Sequence, residues 1–140
     1  LTSKMPALPD HWPVIEDATA EMPYRLVTAP ARSYLNSTFS ETPSSIAREG
    51  KPTVMIHPDD AADLGVVDDD IVKLGNNRGV VPIAVEIFDG LQRGVVVVES
   101  IWPNAAFEGG KGINALTGAD PVAPVGGAAF HDNRIWIKPV

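Results

Sequence analysis

The stretch Pro52–Val85, PTVMIHPDDAADLGVVDDDIVKLGNNRGVVPIAV, alternates short β-branched runs with well-marked turns, and its reading decides the fold. Thr53–Ile56 (TVMI) reads as a buried strand. A short helix follows over residues 58–64. His57 sits near its N-cap, Pro58 takes the first helical position where a missing N–H is harmless, acids fill the first turn, and Gly65 closes it. Asp68-Asp69-Asp70 turns into a strand over Ile71–Leu74. Gly75–Gly79 (GNNRG) reads as a hairpin loop whose Asn and Gly residues accept positive φ, and Val80–Phe88 returns as a strand in which Pro82 marks an edge or a bulge.

The same signals extend outward. Val95–Glu99 (VVVVE) is a fully buried strand, Tyr24–Thr28 (YRLVT) is a strand stopped by Ala29-Pro30, and Arg134–Lys138 (RIWIK) alternates as a closing strand. Residues 31–51 form a long polar loop with a helical turn near Ser44–Arg48, and residues 100–130 form a second, rich in Gly and Pro, in which Ile113–Leu116 is too brief to assign. Long loops of this kind in a compact domain are usually functional. Residues 1–22 carry Pro6, Pro9 and Pro13 without periodicity and read as a linker, with Trp12 and Val14 docking, before a domain at 23–140. About six short strands with one short helix and two long connections describe a small, mainly β barrel rather than a sandwich of even hairpins.

At 140 residues with 44% hydrophobic side chains, the chain is the size of one domain with a real core. Thirteen Pro and twelve Gly are too many for a helical bundle and suit a turn-rich β fold. No run approaches the ~18 apolar residues of a bilayer span. The absence of Cys excludes disulfides, thiolate metal sites and cysteine nucleophiles in this chain. A net charge of −7 repels nucleic acid and anionic lipid. Residues Asp59, Asp60, Asp63, Asp68, Asp69 and Asp70 concentrate that charge, and the acidic helix is expected to face water. The chain starts at Leu1 without a signal-peptide pattern and reads as a piece of a longer protein, with a cytoplasmic location expected.

Four passages carry a resemblance. Tyr24–Phe39 (YRLVTAPARSYLNSTF), Pro52–Val85, Gly94–Asn104 (GVVVVESIWPN) and Asn114–Pro139 (NALTGADPVAPVGGAAFHDNRIWIKP) occur in the order found in the C-terminal dinucleotide-binding domain of molybdopterin oxidoreductases, the group of dimethyl sulfoxide reductases, formate dehydrogenases and nitrate reductases. The likeness covers about residues 23–140. It implies a six-stranded double-psi β-barrel, like that of aspartate decarboxylase, with one or two short helices and long loops. It also implies a non-catalytic role: holding a molybdopterin guanine dinucleotide, with its molybdenum or tungsten, against the remaining domains of a parent oxidoreductase. No nucleic acid and no membrane insertion are expected, and the isolated fragment is expected to be monomeric. One departure stands out. The family commonly has Gly where this chain has Asp69, and Asp tolerates the left-handed region better than most residues.

Under this resemblance Thr28, Ala29, Arg32, Asn36 and Ser37 are cofactor-contact candidates. A loop leaving a strand exposes successive N–H groups, the hydroxyls can donate to phosphate or pterin oxygens, Arg32 can grip a diphosphate, and Asn36 can read a heterocycle edge. On the residues alone, an ordinary surface loop is the simpler reading. Asn114 and Thr117 in the INALTG passage form a second candidate pair, against the alternative that Asn114 caps a helix, and Asn104 faces the cofactor beside a packing Trp102. His11, His57 and His131 fit no metal-ligand spacing, and the Asp68–Asp70 run lacks the alternation of a calcium loop. No Gly-x-Ser-x-Gly marks a nucleophile. A protein-interaction module on the same barrel, like the N-terminal domains of AAA ATPases, is the alternative function, although it expects shorter loops. A self-cleaving decarboxylase is set aside because no Gly-Ser dipeptide occurs.

Overall fold

The computed structural model describes residues 16–99, 101–122, 126–128 and 130–140; His11, Trp12 and Val14 lie outside them. The strands are β1 (Tyr24–Ala29), β2 (Thr53–Ile56), β3 (Ile71–Gly75), β4 (Val80–Ile87), β5 (Val95–Glu99), β6 (Pro121–Val122), β7 (Gly127–Ala128) and β8 (Asn133–Pro139). Two helices interrupt them, α1 (Pro43–Glu49) and α2 (Pro58–Leu64), and 3-10 turns form at Asn104–Ala106 and Ile113–Leu116. Six strands close a barrel in the order β1-β5-β2-β4-β3-β8, with β8 returning to β1. The pairs β1/β5 and β2/β4 are parallel and the remaining neighbours antiparallel. Parallel neighbours require crossover connections: α2 and β3 lie between β2 and β4, while the two long loops join strands that are not neighbours, β1 to β2 and β5 to β8. The architecture is a mainly β double-psi barrel, as the resemblance implied.

Alternation of buried and outward residues builds the core. Val54 and Ile56, Val72 and Leu74, Val96 and Val98, Ile135 and Ile137 all point inward and are buried. Helix α2 follows its signals: His57 Nδ1 accepts from the Asp59 N–H at 3.1 Å, and Gly65 closes the helix at φ 70°. Asp69 adopts φ 69°, a left-handed torsion that Asp accepts better than most residues, and its carboxylate pairs with Lys51 at 2.7 Å. Its neighbours hold the same turn, Asp68 accepting from the Ile87 N–H at 2.6 Å and Asp70 from the Val67 N–H at 2.9 Å.

Several expectations change. The acidic helix does not simply face water: Asp60 is 4% exposed, accepting from Arg93 Nε at 2.9 Å and from the Gly94 N–H at 2.7 Å. A buried carboxylate needs such partners, and these arrive from the distant loop before β5. The 75–79 hairpin contains no positive φ. Instead the Asn76 side chain folds the turn, its Oδ1 accepting from the Arg78 N–H at 2.9 Å while the Asn76 N–H donates to the Gly79 carbonyl at 3.0 Å. Gly75 serves close approach rather than torsion, since a Cβ there would lie 2.1 Å from Cζ2 of Trp136, its cross-strand partner on β8. Pro82 sits in register opposite Lys73 without a bulge, in the part of β4 that extends beyond its pairing with β2. The helical turn expected near Ser44–Arg48 is α1, while the two 3-10 turns and the small β6–β7 ribbon lie where the sequence left the second long loop unassigned. Part of the segment read as linker is docked: the Glu16 carboxylate accepts from Arg78 Nη2 at 2.5 Å and from the Arg134 N–H at 2.6 Å.

Candidate functional site

A cavity of about 290 Å³ opens where the loop after β1 meets the 113–116 turn. Thr28, Asn36 and Asn114 give it polar groups, while Tyr34, Ile101 and Ile113 supply apolar surface and Ala29 completes the strand end. Thr28 is fixed by β1, in register with Val98 of β5. Asn36 projects from a tight turn closed by reciprocal Leu35–Thr38 backbone bonds of 3.1 and 2.9 Å, and its φ of 51° is one that Asn accepts more readily than most residues. Asn114 belongs to a turn anchored on both sides by Ile113 and Leu116, which are 6% and 0% exposed. Behind it, Asn76 Nδ2 donates to the Leu116 carbonyl at 2.8 Å. Gly112 occupies the cap position, so Asn114 lies inside the turn rather than capping it. The hydrophobic anchors thus hold an amide side chain outward at the cavity wall.

Tyr34 was not singled out by the sequence. It is 5% exposed, meets Trp102 edge-to-face with centroids 5.1 Å apart, and its hydroxyl has no hydrogen-bond partner among the described residues. Burial, reinforced by Glu49, pushes its phenol above the usual value of 10.0, which keeps it a neutral donor. Trp102 packs against the core, as read. Four candidates lie away from this cavity. Arg32 lines a separate one. Ser37 contributes its carbonyl to Ser40 Oγ at 2.7 Å. Asn104 Oδ1 accepts from the Gly112 N–H at 3.0 Å, tying two turns together, and Thr117 Oγ1 donates to the Asn114 carbonyl at 3.2 Å, closing its own turn. Asn104 and Thr117 therefore shape the loop that carries Asn114.

Residues 24–134 match the family described as "Molydopterin dinucleotide binding domain". The chain belongs to this family. Among curated relatives, this dinucleotide-binding domain is 36% identical over 138 residues to "Probable oxidoreductase YoaE" of Bacillus subtilis, covering 96% of this chain and 19% of that protein. It is 26% identical over 110 residues to "Respiratory nitrate reductase subunit alpha" of Haloferax mediterranei, covering 78% of this chain and 11% of that protein. Among solved structures, acetylene hydratase from Pelobacter acetylenicus superposes with a TM-score of 0.70 at 15% identity, over 86% of this chain and 19% of that one. The domain thus spans about a fifth or less of the length of these relatives.

One ionisable group of the dinucleotide-binding domain gives stability a pH dependence. Glu99 ends β5 opposite Ala29, and burial first, then the nearby Glu49 and Glu86 carboxylates, raise it above the ordinary 4.5. The fold disfavours its charged form. Its contribution to stability is therefore fully present below about 4.5 and is lost as pH rises through the higher folded value. Glu99→Gln is expected to melt above the wild type at pH 7, with the difference shrinking to nothing below about 4.5 in paired thermal melts. An equal difference at all pH values would mean that Glu99 is not titrating against the fold.

Proposed function

We propose that this domain forms one wall of the site for a molybdopterin guanine dinucleotide in a larger molybdenum or tungsten oxidoreductase. The remaining domains of the parent supply the facing wall, the protein ligand to the metal and the catalytic residues. The observation that carries this reading is the convergence of Thr28, Asn36 and Asn114, from three segments, on one cavity with an apolar floor. Two amides offer paired donors and acceptors, which match a pterin or guanine edge, while Tyr34, Ile101 and Ile113 suit the faces of a flat ring. At about 290 Å³ the cavity sits at the lower end of the roughly 300–1,000 Å³ typical of ligand pockets, so it fits a heterocycle and not a whole dinucleotide. That is the geometry of a shared site.

When bound, the cofactor supplies the metal and its redox chemistry. The residues of this chain do the binding and orienting: Asn36 and Asn114 fix the heterocycle's edge, Thr28 adds a hydroxyl, and the apolar side chains exclude water from its faces. A protein-interaction role on the same barrel calls for short loops, whereas here the two long loops furnish the cavity walls.

Titrating GDP into the 15N-labelled chain is expected to shift the Thr28, Asn36 and Asn114 amides together, with a Kd in the millimolar range, about −4 kcal/mol. Half a site gives weak binding. Submicromolar affinity by calorimetry, or shifts confined to one of the segments, would contradict the shared-wall reading.

A further inference from the structure

We propose that Glu16 is a clasp by which the segment leading into β1 governs the order of the turn that carries Asn114. The proposal goes beyond the cofactor reading and needs no ligand, because it concerns how one part of the chain sets the mobility of another.

The ladder of β8 shows where the clasp is needed. Strand β8 pairs with β1 at Asn133, Arg134 and Ile135, and its pairing with β3 ends at Trp136, opposite Gly75. Arg25, opposite Arg134 on β1, sends its own N–H away to the Gly94 carbonyl at 2.8 Å. The N–H and C=O of Arg134 therefore face the β3 side, beyond the last paired residue of β3, with no strand to bond. Two side chains take the place of one. Asn76 Nδ2 donates to the Arg134 carbonyl at 3.2 Å, and the Glu16 carboxylate accepts from the Arg134 N–H at 2.6 Å. The other Glu16 carboxylate oxygen accepts from Arg78 Nη2 at 2.5 Å, and the Glu16 carbonyl accepts from Arg134 Nε at 3.2 Å. Charge-assisted bonds of this kind are stronger than neutral ones.

From the clasp, contacts run inward to the turn. The Arg78 N–H donates to Asn76 Oδ1 at 2.9 Å, and Asn76 Nδ2 donates to the Leu116 carbonyl at 2.8 Å. The Arg78 guanidinium lies across Gly118, where an added Cβ would stand 3.0 Å from Nη2. The Gly118 N–H in turn donates to Asn133 Oδ1 at 2.8 Å, and Asn133 is buried. Without Glu16, Arg78 keeps only Asp120, an exposed carboxylate 3.8 Å away. Its guanidinium is then free to leave Gly118 for water.

The segment itself has little else to hold it. Residues 17–21 are all exposed, and the core cluster of the described residues includes none of them. A turn in which Thr19 Oγ1 accepts from the Met22 N–H at 3.1 Å leads to β1. A cavity of about 310 Å³ separates Asp17 and Met22 from Asn77 of the hairpin and from Asp120. The segment can thus lift away by breaking the bonds of Glu16, without uncovering the core.

Native-state hydrogen exchange on the 15N-labelled chain tests the coupling. Glu16→Gln keeps the shape and a neutral acceptor, and Glu16→Ala removes both. In Glu16→Ala, exchange at Arg134, Gly118 and Ala115 is expected to quicken about tenfold, as loss of a hydrogen bond to a charged group implies, while Val96 and Val98 in the barrel stay unchanged. Glu16→Gln should fall between. Arg78→Gln should quicken Gly118 and Ala115 to the same extent. The double variant Glu16→Ala/Arg78→Gln should add nothing more there, because both changes break one link. Faster exchange confined to Arg134 and residues 17–22 overturns the proposal, since the effect of the segment then ends at β8. A uniform rise across the strands also overturns it, Glu16 being then a support of the whole barrel, and so do additive effects at Gly118. Coupling is reciprocal, so GDP bound at Asn114 should slow exchange at Arg134 in the wild type and not in Arg78→Gln. GDP that shifts Asn114 without slowing Arg134 overturns the coupling. Absence of GDP binding counts against the shared-wall reading alone and leaves the exchange results to decide this one.

Discussion

Leu116→Ala is expected to destabilise the protein by about 3 kcal/mol, within the roughly 2–5 kcal/mol seen when a buried leucine is truncated and its cavity cannot collapse. Leu116 is fully buried and belongs to the same core cluster as Val81, Ile83 and Ile135, although it comes from a four-residue 3-10 turn rather than a barrel strand. Closed strands cannot move in to fill the space it would leave. The penalty therefore combines lost transfer energy with a persistent void. In urea the midpoint should fall with little change in m, because the surface exposed on unfolding is nearly the same. Leu35→Ala is the control: Leu35 is 66% exposed, and its truncation should stay within about 0.5 kcal/mol. A loss below about 1 kcal/mol for Leu116→Ala would mean that the turn carrying Asn114 is not anchored by burial, and the site's placement would need another cause.

What the sequence could show follows from how local each feature is. The barrel strands were legible because runs such as Val95–Glu99 carry their own β preference, and α2 because Pro58 and Gly65 punctuate it within one short stretch. The left-handed torsion at Asp69 was expected through the resemblance, which places Gly there, and Asp accepts it better than most residues. Within the site, Thr28, Asn36 and Asn114 were picked through the family resemblance; on the residues alone, an ordinary surface loop was the simpler reading of 28–37, and helix capping an open alternative for Asn114. Which way a loop side chain points is another matter. Arg32 and Tyr34 are two residues apart, yet Arg32 faces the helix-bounded cavity and Tyr34 the cavity beside β1, a choice made by α1 and Trp102 rather than by their neighbours in sequence. Asn104 and Thr117 have the right chemistry for a ligand, but turn hydrogen bonds engage them.

The same reasoning explains what was missed. Asp60 looks like one acid of an exposed helix because a helix over 58–64 is too short to reveal its buried face by periodicity, and its partner Arg93 comes from a different loop. Gly75 looks like a turn glycine because the indole that needs its missing Cβ belongs to β8 at the far end of the chain. In both cases the deciding contact is made only once the barrel closes.

Asn76 is the residue where fold and site are joined, and its substitution is expected to separate the two. It is 9% exposed and makes three side-chain bonds: Nδ2 donates to the Leu116 carbonyl at 2.8 Å and to the Arg134 carbonyl at 3.2 Å, and Oδ1 accepts from the Arg78 N–H at 2.9 Å. Asn76→Ala removes a donor from two carbonyls shielded from water, and should cost about 2–3 kcal/mol. Asn76→Asp discriminates hydrogen bonding from packing. The side chain has nearly the same shape, but a carboxylate would face two carbonyl oxygens, so at pH 7 it should be at least as damaging as alanine. The repulsion raises that carboxyl's folded pKa. Stability is then lost as pH rises through the raised value, so relative to Asn76→Ala the Asp variant should recover on acidification, when its protonated oxygen can donate. The functional consequence is directional. With the turn released, GDP should lose its effect on the Asn114 amide in Asn76→Ala while still shifting Thr28, whose place is fixed by β1. Equal loss at both positions would show that Asn76 supports the barrel as a whole rather than the turn. An unchanged Asn114 response would show that Ile113 and Leu116 suffice to hold that amide at the cavity wall.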